Sequence, residues 1–279
     1  AGPPARTAQP AAKAETRTYT AGHKHKRENL SPPKKSPDHP NKKTAVIVPA
    51  PAGLSCAYYL SIDNYSVTVF EKEDKLCGMR TLGIPSFRLE KDVVEAEIDV
   101  LREMGVEFKT GVEVGKDVTL DELRKQGYKG FYIAIGAQGG RGIGVEGEDA
   151  KGVIHGVDFL RDVNSGKKTD VSGKVVVVGG GNVAVDVART AIRENTESVT
   201  MYCLENEKEM PASREEVDEA LEEGVKLMNG WGPKRIIVKD GKVAGVEFKK
   251  CVSVFENGKF APKYDENDTL TADADYALP

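Results

Sequence analysis

The stretch KVVVVGGGNVAVDVAR, from Lys174 to Arg189, decides how this sequence folds. Its continuous apolar run, Lys174 to Val178, predicts a buried strand that leads directly into a glycine turn. Apolar residues at helical spacing predict a helix from Val185 to Glu194, and Ser198 to Cys203 predicts a second strand. A strand, a turn, a helix and a strand in this order form a βαβ unit, which predicts a parallel α/β fold.

The glycine turn has the spacing G-x-G-x-x-A, and a physical reason favours a small residue at each of its three fixed positions. Gly179 permits the tight turn, Gly181 lets a pyrophosphate approach bare backbone, and Ala184 lets the helix pack on the strand. The helix N-terminus adds free N–H groups and a positive dipole end. The turn therefore predicts a dinucleotide site, and the alternative is a glycine turn that serves only close helix packing.

An acidic residue follows at the expected distance and bears on the nucleotide. Glu205 lies 21 residues after Ala184, at the end of the next strand, where a carboxylate accepts hydrogen bonds from the adenosine ribose. A 2′-phosphate would need a cation here, and Leu204-Glu205 offers none, so NAD(H) is favoured over NADP(H) unless Lys208 folds back. The predicted NAD(H)-binding residues are Gly179, Gly180, Gly181, Asn182, Ala184 and Glu205.

A related pattern occurs about 130 residues earlier, in KKTAVIVPAPAGLSCAYYL. It predicts a strand at Thr44 to Val48, a helix at Gly53 to Ile62 and a strand at Ser66 to Phe70 that ends at Glu71. Val48 and Ala50 stand where glycines are expected, with Pro49 between them. Because Val48 is β-branched and precedes proline, we expect it to be extended, without the positive φ of a glycine turn. Two such units predict two dinucleotides, the first in an altered loop.

The rest of the folded region alternates in the same way. Further predicted elements are helices at Glu90 to Met104, Thr119 to Gln126 and Arg214 to Glu223, and strands at Val106 to Lys109, Gly130 to Ile135, Lys234 to Lys239 and Lys242 to Phe248.

Composition limits the classes of function. The 279 residues carry a net charge of −4, with 39% hydrophobic and 30% charged residues. This is typical of a soluble globular protein, and no apolar run is long enough to span a membrane, so we expect a cytoplasmic protein. Residues 1–43 hold ten Lys/Arg against three acids. They predict a basic, Pro-rich arm that is flexible or wraps a partner; without interleaved aromatics they do not predict nucleic-acid binding.

The sequence predicts no catalytic or metal-binding residue. The four cysteines are too far apart for a CxxC-type ligand set, and no catalytic triad or carboxylate pair is evident. His155, the single histidine of the folded part, is interpreted as a loop or core residue rather than a base. These absences suit hydride transfer, in which the cofactors carry the chemistry and the protein positions them.

Several motifs in order resemble one family. KLCGMRTLGIPSFRLEKDVVEAEIDVLREMGVEF, FYIAIGAQGGR, GGGNVAVDVARTAIR and EMPASREEV resemble the glutamate synthase small subunit and its relatives. Those relatives include flavin subunits of electron-bifurcating ferredoxin:NAD(P) oxidoreductases and the flavin half of dihydropyrimidine dehydrogenase. The resemblance implies FAD in the first domain and NAD(P)H in the second. It further implies hydride transfer from nicotinamide to flavin and single-electron transfer onward through iron–sulfur clusters.

The resemblance also implies a set of flavin contacts. Gly53 would be the surviving third glycine, Glu71 would bind the ribose, and Arg88 would place a cation near the flavin or else be a solvated residue. Cys77 stands where the family usually has glycine; we interpret it as inert rather than redox-active, because it lacks a CxxC partner. The implied FAD-binding residues are Ala50, Gly53, Glu71, Gly78, Met79, Arg88 and Gly136.

The combined expectation is a glutathione-reductase-like, two-domain flavoprotein that is incomplete at its C-terminus. The expected parts are an arm at 1–43, the first part of an FAD domain at 44–165, an NAD(P)H domain at 166–272 and the start of a return strand to the FAD domain at 273–279. The expected function is an FAD-dependent subunit that passes electrons from NADH to iron–sulfur partner subunits of a hetero-oligomeric redox complex. One alternative is a non-catalytic NAD-binding subunit with a degenerate flavin site. Another, less favoured, is a flavin-free dehydrogenase acting on a small organic substrate.

Overall fold

A computed structural model describes residues 35–37, 39 and 42–279. The predicted arm, residues 1–43, lies almost wholly outside the described residues and stays a prediction. The chain divides between Gln138 and Gly139 into two compact units. Among the described residues, no helix combines the length and apolarity needed to cross a membrane.

The first unit, which ends at Gln138, is a parallel sheet with helices packed on it. The strands are β1 (Lys43–Ile47), β2 (Ser66–Phe70), β3 (Glu107–Lys109) and β4 (Tyr128–Ile133). The helices are α1 (Pro51–Ile62), α2 (Met79–Leu82), α3 (Lys91–Glu103) and α4 (Leu120–Lys125). The strand order is β3-β2-β1-β4, and α1 and α3 supply much of the apolar cluster that packs on β1 and β2.

The second unit, from Gly139 onward, contains a parallel and an antiparallel sheet. The parallel strands are β5 (Lys174–Val178), β6 (Ser198–Cys203), β7 (Lys226–Asn229) and β11 (Tyr276–Leu278), in the order β11-β5-β6-β7. The antiparallel strands are β8 (Trp231–Lys239), β9 (Lys242–Glu256) and β10 (Lys259–Asp273), in the order β10-β9-β8. The helices are α5 (Gly156–Asn164), α6 (Asn182–Arg193) and α7 (Arg214–Glu222).

The two parallel sheets have the same topology. In each, the first strand of the unit lies between the second strand and the last one. Their registers also match, since Ile47 pairs with Phe70 in the first sheet and Val178 pairs with Tyr202 in the second. Val48 therefore occupies the position of Gly179, Ala50 that of Gly181, and Gly53 that of Ala184. The predicted pair of parallel α/β units is confirmed.

The C-terminal segment corrects one expectation. Residues 273–279 were expected to start a return strand to the first domain, but β11 pairs in parallel with β5 in the second sheet. Ala277 and Leu278 are at most 1% exposed, so apolar burial beside β5 holds this strand in the second unit. The assignment of FAD to 44–165 and of NAD(P)H to 166–272 stays a prediction.

Candidate functional site

The second glycine loop has the backbone geometry that a pyrophosphate needs. Gly179 continues the sheet, with its N–H donating to Tyr202 O at 2.9 Å, and then turns at φ 148°. The first backbone hydrogen bond of α6 runs from Val185 N to Gly181 O (3.2 Å), so the N–H groups before Val185 lie outside the helix's own bonding pattern. A Cβ placed on Gly181 would meet no heavy atom of the described chain within 4 Å. The loop therefore offers an open face of N–H donors to an anion.

Glu205 lies against this loop. A Cβ on Gly180 would be 2.7 Å from Glu205 Oε2, so the absence of a side chain at Gly180 makes room for the carboxylate. Asn182, by contrast, uses its side chain within the protein, because its Oδ1 accepts a hydrogen bond from Ser213 N at 2.9 Å. The structure thus brings Glu205 together with the glycines, as a ribose-binding carboxylate requires.

The residue directly after Tyr202 is Cys203, which corresponds in register to Glu71 of the first unit. Its side chain is 1% exposed, and burial raises the pKa of the thiol to about 12. Cys203 is therefore a neutral thiol at physiological pH and carries no charge for or against a 2′-phosphate. The negative charge beside the glycine loop comes from Glu205, two residues further on.

A cavity of about 210 Å³ opens beyond Leu204, at the carboxyl ends of β6 and β7. This is the side of a parallel nucleotide-binding sheet on which ligands lie. Lys250 also borders the cavity, with its Nζ 4.6 Å from the centroid of the Trp231 ring. The remaining lining residues are Asn206, Glu209, Asn229, Gly230, Cys251, Val252, Ser253 and Val254.

The first loop overturns the expectation for Val48. Val48 is not extended: its φ is 71°, in the left-handed region, and its side chain is 7% exposed. Val48 N donates to Phe70 O at 2.8 Å, as Gly179 N does to Tyr202 O, so strand pairing fixes the turn despite the branched side chain. A β-branched residue in this region is strained by roughly 1–3 kcal/mol. The chain therefore keeps a glycine-type turn without the glycine.

The first loop offers fewer donors than the second. Pro49 and Pro51 have no N–H, and they correspond to Gly180 and Asn182. Leu54 N donates to Ala50 O at 2.9 Å, which is the counterpart of the Val185–Gly181 bond. Gly53 is required by packing, since a Cβ there would lie 2.3 Å from Val48 O. The predicted weakening of this loop as an anion site thus rests on the two prolines and the Ala50 methyl.

Glu71 has the environment expected of a ligand-binding acid. Its side chain is fully buried, and Oε1 accepts a hydrogen bond from Glu73 N at 3.1 Å. Oε2 is buried and has no hydrogen-bond partner among the described residues. Burial raises the pKa of this carboxyl above its usual range. A ribose hydroxyl would satisfy the orphan oxygen, so this residue fits the adenosine part of a dinucleotide.

The stretch after Glu71 places several predicted residues. Gly78 has φ 50° and a Cβ there would lie 3.5 Å from Gln138 Nε2, so Gly78 approaches the segment that follows β4. Cys77 also has positive φ, 76°, and is buried, and burial raises the pKa of its thiol to about 12. The thiolate needed for redox chemistry is therefore not populated near neutral pH. Met79 lies against Gly83, whose Cβ would clash with Met79 Cε.

A lysine that the sequence did not single out holds this stretch. Lys91, the first residue of α3, donates from Nζ to Arg80 O at 3.2 Å and also to Ile84 O. Arg88 lies half-buried in the turn after Pro85, where its backbone N–H donates to Pro85 O at 3.1 Å. Its role toward flavin stays a prediction.

The last predicted flavin residue, Gly136, is exposed with φ 64° and follows the end of β4. Because β1, β2 and β4 are parallel neighbours, Gly136 lies past the same edge of the sheet as Ala50 and Glu71.

His155 immediately precedes α5; its Nδ1 is buried and has no hydrogen-bond partner among the described residues. Residues 35–37, 39 and 42–279 contain no group of three or more His, Cys, Asp or Glu side chains that could hold a metal ion.

Known proteins resemble this chain in sequence and in fold. The chain is 42% identical over 262 residues to the NADPH-Fe(3+) oxidoreductase subunit beta of Geobacter sulfurreducens, which covers 90% of this chain and 38% of that protein. It is 36% identical over 250 residues to the glutamate synthase [NADPH] small chain of Escherichia coli, covering 85% and 52%. The fold is similar to that of FprA from Mycobacterium tuberculosis, with a TM-score of 0.74 and 18% identity over 85% of this chain and 70% of that one.

These findings confirm the resemblance and the two-domain fold predicted from the motifs. The chain spans only about two fifths to one half of the length of these curated relatives. The family model described as pyridine nucleotide-disulphide oxidoreductase matches residues 42–256. This chain therefore belongs to the pyridine nucleotide-disulphide oxidoreductase family.

Proposed function

We propose that this chain is the FAD- and NAD(P)H-binding part of an oxidoreductase subunit that passes electrons from NADH through flavin to iron–sulfur partner subunits. The observation that carries the proposal is the second loop, where the open face at Gly181, the α6 N-terminus and the Glu205 carboxylate meet at one sheet edge. Each matches one part of a dinucleotide: bare backbone and N–H donors for the pyrophosphate, and a carboxylate for the ribose.

The preference for NADH rests on charge. Glu205 would accept hydrogen bonds from ribose hydroxyls and would repel a 2′-phosphate, while Cys203 is neutral and Leu204 is apolar. Because the names of the curated relatives include NADPH, the binding of both NADH and NADPH has to be measured on this chain. Lys250, at the neighbouring cavity, is a cation that would favour NADPH if it reached the ribose.

The residues of the first unit fit FAD, although their loop offers fewer backbone N–H donors to the pyrophosphate than the second loop does. The buried Glu71 oxygen suits the adenosine ribose, and Gly78 and Gly136 provide positive-φ backbone that would lie beside the cofactor. When bound, FAD would accept hydride from the nicotinamide and release electrons singly. Pro49, Pro51 and the Ala50 methyl weaken the hold on the pyrophosphate.

The partner proposal rests on the relatives and on cysteine spacing. The relatives are named as a subunit beta and a small chain, which are parts of larger enzymes. The four cysteines of these 279 residues lie far apart in sequence, at 56, 77, 203 and 251. Iron–sulfur ligands would therefore come from outside these residues, in agreement with a hetero-oligomeric complex.

One alternative is favoured by a specific observation. The altered Val48-Pro49-Ala50 turn suits a non-catalytic NAD-binding subunit whose flavin site has degenerated. Absorbance of the purified protein between about 350 and 500 nm separates the two, because bound flavin absorbs there. The proposal predicts flavin absorbance that NADH bleaches under anaerobic conditions. Colourless protein that still binds NADH would support the alternative, and turnover of an organic substrate without flavin would contradict both.

A further inference from the structure

We infer that Asn229, at the end of β7, is a positioning residue that holds Glu205 over the phosphate loop and so sets the preference for NADH over NADPH. This inference rests on the proposed function, because it assumes that the second loop binds a nicotinamide dinucleotide. Asn229 was not among the residues predicted from the sequence, and it lies 24 positions from the residue it holds.

Asn229 holds Glu205 through a set of hydrogen bonds that converge on the Glu205 carbonyl, and we call this set the anchor. Asn229 Nδ2 donates to Glu205 O at 3.1 Å and to Cys203 Sγ at 3.2 Å. The Gly230 N–H donates to the same carbonyl at 3.1 Å, and the Cys203 thiol lies 3.6 Å from it as a weak donor. The end of β7 therefore fixes the backbone of Glu205 through two strong donors, one of which is a replaceable side chain.

The chemistry of the anchor requires an N–H donor at position 229. Glu205 O is an acceptor only, and the Cys203 sulfur accepts from Asn229 while its own proton faces the carbonyl. The thiol keeps that proton, because burial raises the pKa of Cys203 to about 12. A leucine has nearly the shape of asparagine but no N–H and no charge, so it would remove only this donor from Glu205 O.

Fixing the Glu205 backbone also fixes where its carboxylate can reach. Oε2 fills the space that a Cβ on Gly180 would occupy, 2.7 Å from that Cβ position. A carboxylate held there accepts hydrogen bonds from a ribose and repels a 2′-phosphate. If Asn229 no longer holds Glu205, the loss of hydrogen bonds to the ribose weakens NADH binding. The loss of repulsion toward the 2′-phosphate favours NADPH relative to NADH. The ratio of the NADPH and NADH dissociation constants therefore measures how well Asn229 positions Glu205.

The experiment measures the Kd of NADH and of NADPH by calorimetry on the full chain and on variants at position 229. We expect Asn229→Ala and Asn229→Leu, each of which removes this hydrogen bond without adding charge, to lower the NADPH-to-NADH Kd ratio about 5- to 10-fold. Asn229→Gln, which keeps the donor, is expected to restore much of the ratio. The control Asn267→Ala makes the same chemical change at an exposed position of β10 and is expected to leave the ratio unchanged.

A double-mutant cycle tests whether Asn229 acts through Glu205. In a Glu205→Ala background, Asn229→Leu should change the ratio by less than about twofold, since the carboxylate that Asn229 positions is gone. Equal weakening of both nucleotides, or an unchanged ratio with only a lower melting temperature, would overturn the inference and leave the proposed function standing. A wild-type chain that binds neither nucleotide would overturn the proposed function as well.

Discussion

The two phosphate-loop positions of this chain share a backbone and differ in the side chains that the backbone carries. The turns at Val48 and Gly179 both follow the first strand of a parallel sheet, and each donates an N–H to the end of the neighbouring strand. Gly179 adopts its turn without a side chain, whereas Val48 adopts a φ of 71° with a buried branched one. The fold therefore imposes the turn, and the glycines determine what can bind there.

The acids at the two loops differ as well. Glu71 is buried with an orphan oxygen, while Glu205 is partly exposed and held through its backbone. The first unit thus has a buried acid beside a loop with few N–H donors, and the second has an open loop and an acid positioned two residues later. Under the proposed function, we expect the loop to limit binding at the first site and the acid to determine selectivity at the second.

The largest expected effect is at Gly181. Gly181→Val places a side chain in the open space that faces the phosphates, and we expect the Kd of NADH to rise at least about 100-fold, which corresponds to about 2.7 kcal/mol. Folding should be little affected, because Gly181 has extended backbone and no described neighbour near its Cβ position. Calorimetric titration measures the Kd, with Gly139→Val, at another open glycine, as the control. An unchanged Kd would show that the two loops do not differ in the way described.

The first loop should respond in the opposite direction. The double variant Val48→Gly/Ala50→Gly restores the two glycines, and we expect flavin bound per chain to increase, with the Kd of FAD falling about 10-fold. The ratio of flavin absorbance to protein absorbance after purification measures this. Ala52→Gly, an exposed change in the first turn of α1, should give no increase. Equal flavin content in all three proteins would count against a weakened loop.

A smaller effect tests the strain at Val48. Val46→Ala removes two methyl groups from the buried centre of β1 and should lower the free energy of unfolding by about 2–3 kcal/mol. Val48→Gly removes more, but it releases the left-handed strain, so the net loss should be about 1 kcal/mol. Urea denaturation compares the two variants. If Val48→Gly costs as much as Val46→Ala, Val48 is not strained.

The smallest effect is the pH dependence of the first unit. Burial raises the pKa of Glu71 in the folded state, so its contribution to stability is present below the unfolded pKa of about 4.3 and is lost as the pH rises through the raised value. Glu71→Gln should flatten this fall in unfolding free energy, which begins above about pH 4. Denaturation curves at and above this pH measure the slope, with exposed Glu95→Gln as the control. An identical slope in Glu71→Gln and wild type would contradict the burial of an ionisable carboxyl there.

Much of the fold follows from patterns of a few residues. The apolar runs at Val46 and Val176 and the apolar stripe of α6 predict the strands and the second helix clearly, whereas α1 was predicted only from single residues at helical spacing, such as Leu54 and Ala57. Strand β10 escaped prediction, since KFAPKYDENDTLTAD is polar and contains proline; its pairing with β9 makes it a strand. Strand β11 has only three residues and too short a pattern to place.

The site was predictable where chemistry is local and unpredictable where it depends on tertiary contacts. The glycines and Glu205 are read directly from spacing. The torsion of Val48 was predicted wrongly because local sterics yielded to strand pairing with Phe70. Asn229 and Lys91 gave no local signal, since each acts on a carbonyl that only the folded chain brings near.

The most direct test of the difference between the loops is one NADH titration of three flavin-free proteins. These are the wild type, the second-loop variant Gly181→Val and the first-loop variant Val48→Gly/Ala50→Gly. The predicted result is one NADH per chain for the wild type and the first-loop variant, with binding lost in Gly181→Val. Retention of NADH by Gly181→Val, or its loss in the first-loop variant, would contradict the assignment of NADH to the second loop.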